Sequence, residues 1–518
     1  MADDKPMEMG SRTKVSKPSV HEAISDNTND QIYDSGRNVL ERYLGLKPMV
    51  SFGLTLQASW EAIAITFQAA LLNGGPVSLV YGMILSAVGS AALAASLGEM
   101  ASIDPTVGAQ YRWTALYAPR VMSPAFWSLL QGWLTVFAWI ASCALTPFLL
   151  GTMVQGLIIF NYPDTYIYER WHGTLLSWAF IVVPVICNVH GRRLLAPLEI
   201  IGGVCHLLFF ICTVVILVVL ATRSTAEFVF TTHVNEISGW TNPGVAWCIG
   251  LLSTTFPLVG FDGVLHMSDE AKDAPRRIPL SMILTVVINA VFAFAFIICL
   301  LFTLGDLETV LASPTGYPII EVYYQATKSK AGTNVMMLMI IIVVLVSCFS
   351  ILASVSRLTW AFAKDHGLPF ADFFAYVHPG LKIPLRSLTL VTILSCLLHL
   401  ISIGSTTAFT AILSLTTLAL YISYLVPISL ILLRKLEGRH PAYGPFRLGR
   451  WGIPINIFAL LYGIFIVIWL PFPPVLPVTA LNMNYAGPVM IAVIIIALLD
   501  WVISGHKRFS VPVMKENL

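Results

Sequence analysis

Charge is scarce in this chain of 518 residues: Asp, Glu, Lys and Arg make up 11% of it, against 57% hydrophobic residues. A soluble domain carries about 25% charged residues, so the composition excludes an ordinary soluble protein. Mean hydropathy is +0.78, and the chain reads as a polytopic membrane protein. The net charge of +2 gives no argument for a nucleic-acid partner. Enzyme signatures are missing as well. There is no GxSxG, no Walker loop, no HExxH and no Cys/His metal spacing. Lack of a nucleotide-binding loop argues against a primary pump. The 8 cysteines all sit in apolar runs without paired spacing, which makes them packing residues rather than disulfides or metal ligands. No N-x-S/T sequon occurs. The first 48 residues lack the apolar core of a signal peptide and read as a disordered cytosolic tail.

What is present is a series of long apolar runs. A spanning helix needs about 20 mostly apolar residues, and about twelve runs qualify. They lie near 49–72, 76–100, 124–153, 172–190, 197–221, 244–267, 279–304, 334–364, 385–403, 407–433, 452–471 and 487–504. With the N-terminus inside, the inner loops hold fifteen Lys and Arg and the outer loops four. That bias places both termini in the cytosol. The expected organisation is a tail at 1–48, a transporter domain at 49–504 and a tail at 505–518.

Two spans are irregular. Span 6, within GLLSTTFPLVGFDGVLHMSDE, carries Pro257, Gly260 and Asp262 in its apolar run. Proline removes a backbone donor and clashes with the preceding turn, and a carboxylate in a bilayer is expensive. Span 1 carries Ser59-Trp60-Glu61 in mid-run. Interrupted helices in corresponding positions of two halves predict an inverted repeat, here 49–221 and 244–433, with a site at the midplane between the breaks. Two further spans within 452–504 lie outside the repeat.

The candidate residues follow from those breaks. Glu61, surrounded by apolar residues, is a neutral acid hydrogen-bonded in the bundle, a counter-ion for a cationic substrate or a proton carrier. Asp262 either binds ligand or caps the second half-helix through its free amides. Broken ends leave amides for anions and carbonyls for ammonium groups. Trp60, Phe67, Phe256 and Phe261 flank the breaks as packing residues or as cation–π faces. His206 on span 5 is a core histidine or a proton relay; His266 and His399 have weaker cases. Glu99 and Arg357 end spans 2 and 8, as a gate ion pair or as solvated helix ends.

Three motifs carry a family resemblance. LGEMASIDPTVGAQYRW, VGFDGVLHMSDEAKDAPRRIP and SRLTWAFAKDHGLPFADFFAYVHPGLKIP resemble signatures of the amino acid–polyamine–organocation (APC) superfamily. The stretch FPPVLPVTALNMNYAG is similar to the fungal amino acid/choline transporter branch, which includes choline and 4-aminobutyrate (GABA) permeases. The resemblance implies an all-α fold of twelve spans with a five-plus-five inverted repeat and discontinuous spans 1 and 6. It also implies proton symport and a substrate bound where those spans unwind. The superfamily's Gly-Ser/Thr-Gly falls on Ser59-Trp60-Glu61 here, which turns the expectation toward a ligand dominated by its cationic end. A superfamily lysine that links substrate to protonation falls on His206. The expected substrate site is therefore Ser59, Trp60, Glu61, Phe256, Pro257, Gly260, Phe261 and Asp262, with His206 or Glu61 for the proton and Glu99 and Arg357 at the cytosolic face.

The function expected is secondary-active, proton-coupled transport of a choline-like amine, with GABA or another amino acid next. No cofactor is expected besides the proton gradient. The partners are the substrate, protons and the lipid bilayer of a plasma or vacuolar membrane. Efflux of an amine metabolite has the same topology. A sensor that binds without transporting is the third reading, disfavoured by short tails.

Overall fold

A computed structural model describes residues 44–404, 408–480 and 482–510. Every regular element among them is a helix. Among the described residues, eleven helices are long and apolar enough to cross a membrane, so the chain is an integral, multi-pass membrane protein. Only helices and closed barrels satisfy their backbone in lipid. The twelfth crossing is span 1, which consists of two pieces, Leu46–Gln57 and Ser59–Leu72. Neither piece alone is long enough to span.

The other spans are Gly75–Ile103, Pro124–Asn161, Arg170–His190, Arg192–Leu220, Pro243–Glu270, Ala274–Phe302, Lys330–Lys364, Leu385–Gly404, Ala408–Leu436, Gly452–Trp469 and Ala486–Arg508, numbered 2 to 12 in chain order. Spans 1–5 and 6–10 each open with a broken helix, as a five-plus-five inverted repeat requires. The face at which span 1 begins is called the N face below.

Several boundaries move outward from those read in the sequence. Span 1 starts at Leu46, and Leu44 already pairs with Ala271 through Leu44 N to Glu270 O (3.0 Å) and Lys272 N to Leu44 O (2.9 Å). Span 3 runs on to Asn161, and span 12 stays helical to Arg508, inside the expected tail. Apolar run length marks only the lipid-crossing part of a helix; amphipathic ends add turns outside it. Residues 1–43 and 511–518 of the expected tails, and most of the Gly404–Thr407 break, lie outside the described residues.

Burial separates an inner from an outer ring. In spans 6, 8 and 10 about 72% of the apolar window is buried, but in spans 5 and 12 only 17% and 22%. The broken spans are thus held inside, and span 5 lies against them with most of its surface toward lipid. Small residues bring the inner helices close, as bilayer packing favours. A Cβ on Gly53 would lie 2.3 Å from Thr285 Oγ1.

Candidate functional site

The break in span 1 is a single residue. Ala58, at φ 40 and ψ 56, is left-handed and serves both as C-cap of the first half and as N-cap of the second. The left-handed region costs a non-glycine residue about 1–2 kcal/mol, so neighbours must hold it. Ser59, Trp60 and Glu61 are therefore the first turn of the second half, not the unwound segment itself. The expectation was displaced because no proline or glycine marks the bend. Gln57, absent from the expected site, is what ties it down. Its Nε2 donates to Val259 O (3.4 Å), and its Oε1 accepts from Asn289 Nδ2 (2.8 Å). Ser59 Oγ donates to Asn289 O (2.9 Å), and Leu56 O accepts from Ser347 Oγ (3.3 Å). A lone amide ending the run VSFGLTLQ was the available signal.

The break in span 6 is longer. A short 3-10 turn, Phe256–Leu258, follows the helix; Val259 is extended and Gly260 is left-handed at φ 84. Residues Phe261–Glu270 then continue as a 3-10 helix. Such runs rarely exceed 3–4 residues and mark a hinge or strain. Pro257 is buried at the bend. Asp262 does not cap through backbone amides, as one reading expected. Its carboxylate accepts from Gln110 Nε2 (2.6 Å), Trp139 Nε1 (3.2 Å) and Tyr424 Oη (2.5 Å). Gly260 N donates to the same Tyr424 hydroxyl (3.1 Å). His266 Nε2 lies 3.6 Å from Asp262, and His266 Nδ1 donates to Val107 O (2.9 Å). Asp262 thus joins span 6 to spans 3 and 10 and to the helix Ala109–Tyr117.

Between the two breaks lies a cavity of about 60 Å³, room for a few water molecules. Gln57, Ala58, Phe256, Val259, Gly260 and Trp139 are among its walls, with Ser142, Thr146, Ser347 and Thr416 as polar lining from spans 3, 8 and 10. None of the lining residues is acidic or basic. Of the expected substrate residues, Phe256 and Gly260 line it; Ser59, Trp60, Glu61, Pro257, Phe261 and Asp262 do not. Phe261 packs on Tyr424 (ring centroids 5.1 Å apart), and Phe67 is fully buried.

Glu61 points the other way, toward span 5. Its Oε1 lies 2.9 Å from His206 Nδ1, and both side chains are fully buried. Trp60 Nε1 donates to His206 O (3.1 Å), and its ring sits among His206, Phe210 and Phe296. Glu61 Oε2, His206 Nε2 and the Tyr323 hydroxyl carry no hydrogen-bond partner, which leaves them positions for a proton or a water. Glu61 does not line the cavity, because the helical periodicity that begins at Ser59 turns its side chain to span 5. Two residues of the expected set, Glu61 and His206, do meet.

Glu99 and Arg357 are neither paired with each other nor solvated. Arg357 Nε donates to Glu270 Oε1 (2.9 Å), linking spans 8 and 6. Glu99 accepts from Lys435 Nζ (2.5 Å) and Leu448 N (2.9 Å), linking span 2 to span 10 and the segment before span 11. All four charged groups are under 5% exposed. Their partners stand 336 and 87 residues away in sequence, so no local pattern announces them. His399 Nε2 donates to Ala144 O (2.7 Å), a packing role between spans 9 and 3.

Two facing discontinuous helices around a cavity, with buried ion pairs toward the N face, have the architecture of a membrane transporter of the inverted-repeat class. Residues 49–497 match the amino acid permease family, and the chain belongs to it. A choline transporter of Saccharomyces cerevisiae is 32% identical over 469 residues, 90% of this chain and 82% of that one. A Macrophomina phaseolina protein carrying an amino acid/polyamine transporter name is 32% identical over 444 residues, 85% of this chain and 97% of that one. The amino-acid permease BAT1 of Arabidopsis thaliana is 27% identical over 494 residues, 92% and 94% of the two chains. The chain is a membrane permease for amino acids or amines, not an enzyme.

Proposed function

We propose that the chain is a proton-coupled importer of a small ammonium compound, choline-like rather than an α-amino acid. The observation that carries this reading is the cavity wall. It offers the aromatic residues Trp139 and Phe256, hydroxyls and an amide, but no cationic side chain that would clamp a carboxylate. Trp139 has its indole N–H engaged by Asp262, so the ring remains as its contribution to the cavity. An aromatic face is worth about 2 kcal/mol or more to a desolvated ammonium. A quaternary ammonium has no N–H to leave unsatisfied, which suits a wall with no carboxylate. The choline transporter name of a 32% identical relative supports the same class. GABA remains the second substrate to test.

The proton is assigned to Glu61 and His206. A neutral pair, or one proton shared over 2.9 Å, fits a buried site; an unpaired charge there does not. Because Ser59 and Glu61 belong to one rigid turn with the wall residue Ala58, a change at His206 is felt at the cavity. By the Lys and Arg bias the N face is cytosolic, and the site opens to it by movement of the broken helices.

The test is uptake of radiolabelled choline and GABA by proteoliposomes under an imposed inward proton gradient. Choline accumulation that collapses with a protonophore is expected, with Trp139→Ala raising the choline Kd by about tenfold or more. Choline binding indifferent to Trp139→Ala would overturn the cavity assignment. Retained proton-driven accumulation in His206→Gln would remove the pair from the mechanism.

A further inference from the structure

Span 5 carries a second acid that the pair above leaves unused. Glu199 is 2% exposed. Its Oε2 accepts from Thr55 Oγ1 of span 1 at 2.7 Å, and its Oε1 accepts from Ser350 Oγ of span 8 at 2.5 Å. Glu199 precedes His206 by two helical turns on the buried face, about 10 Å along the axis. Their span 1 partners are Thr55 and Glu61, placed symmetrically before and after Ala58. Span 5 therefore grips both halves of the broken helix, each through an ionisable group.

The grip on the first half is close. A Cβ on Gly202 would lie 2.9 Å from the Thr55 methyl, and one on Gly203 would lie 3.0 Å from Ser51 Oγ. Below Glu199, toward the N face, is a cavity of about 20 Å³ walled by Met49 and Phe52 of span 1, Val264 and Met267 of span 6, and Ala353 of span 8. Among the described side chains, no cation faces the acid from the packed elements. Lys47 of span 1 is exposed, Arg357 of span 8 is bound to Glu270, and His206 is bound to Glu61. Span 6 presents no ionisable side chain to this cavity, and the Cys187 thiol of span 4 is the titratable neighbour of Glu199 outside it.

We propose that Glu199 is a proton-binding site that controls whether the first half of span 1 stays docked on spans 5 and 8. The hydrogen bonds around it accommodate a proton without rearrangement. Thr55 Oγ1 also reaches Ser51 O (3.0 Å) and Phe52 O (3.1 Å), and Ser350 Oγ also reaches Val346 O (3.4 Å). Either hydroxyl can turn its hydrogen to its own helix and accept one from the acid. The neutral acid thus keeps both contacts. Loss of the proton leaves a buried charge held by two neutral hydroxyls, which low-dielectric surroundings penalise. Undocking the first half relieves that penalty by opening the lower cavity to water, and the proton leaves to solvent on the N face. The inference rests on the reading that the first half of span 1 moves in the transport cycle; it does not depend on the substrate or on the Glu61–His206 pair.

The test is hydrogen–deuterium exchange of the Leu46–Gln57 amides in the full-length protein in lipid nanodiscs, without substrate or gradient, corrected for intrinsic rates. Between pH 5.5 and 8 exchange is expected to rise several-fold in the unsubstituted protein. Glu199→Gln should stay at its low-pH level throughout, and Glu199→Asp should restore the step. A step that persists in Glu199→Gln, or no step in the unsubstituted protein, would overturn the proposal. Should Glu199→Gln fail to fold, Thr55→Val and Ser350→Ala take its place: each is expected to move the midpoint of the step, and unmoved midpoints overturn the proposal. Failure of choline uptake, or of His206 coupling, would leave this measurement unaltered.

Discussion

The two broken helices are broken by different means. Span 6 bends where its own sequence demands it, at a proline and a left-handed glycine, and one carboxylate, Asp262, gathers donors from three other elements around the bend. Span 1 bends at an alanine, with helix-competent residues on both sides. Its bend is imposed by contacts on its flanks: Gln57 to Val259, Ser59 to Asn289, Thr55 to Glu199 and Glu61 to His206. A locally encoded break is permanent. A break held by neighbours changes when those neighbours change, and two of the neighbours are titratable. The comparison assigns span 6 the fixed wall of the site and span 1 the responsive one.

The largest effect that would break this comparison comes from the fixed side. Asp262→Ala strands three buried donors, each worth about 1–3 kcal/mol when left unsatisfied. The expected result is loss of folded protein, or a thermal midpoint many degrees lower in detergent; a midpoint near that of the unsubstituted protein would show that span 6 needs no hub. Next is Gly260→Ala. Its φ of 84 costs an alanine about 1–2 kcal/mol, and the new Cβ meets Leu56 at 3.2 Å, so the midpoint should fall clearly. Gln57→Leu removes the Gln57–Val259 hydrogen bond that joins the two breaks; a modest stability loss of about 1 kcal/mol should accompany a larger loss of choline affinity. The smallest change is Ala58→Gly. Relief of left-handed strain, about 1–2 kcal/mol, is offset by about 0.5–1 kcal/mol of added chain entropy. Stability should move little, while amide exchange in Leu46–Gln57 reports any loosening of the bend. A drop as large as that of Gly260→Ala would mean that span 1 is locally encoded after all.

The same contrast explains what could be read from the sequence. The span 6 break was legible to the residue, because proline and glycine act on their own backbone. The span 1 break was legible only as an oddity nearby, since Ala58 has no intrinsic reason to bend. Span count followed from hydropathy, and the meeting of Glu61 with His206 was within reach because buried ionisable groups seek partners. Trp139, Gln110, Tyr424 and Glu199 were not within reach. An aromatic or acid in a long apolar run declares its cost but not its neighbour, and these neighbours lie 123 to 162 residues away in sequence. The ion pairs of Glu99 and Arg357 stayed hidden for the same reason: the register between distant helices is a property of packing.

The short pairing of Leu44 with Ala271 has a mechanical meaning. It fastens the chain just before span 1 to the chain just after span 6 by two peptide hydrogen bonds. The two discontinuous helices thereby share a hinge pin at the N face. The first half of span 1 can swing clear of the fixed span 6 only after those two hydrogen bonds have parted.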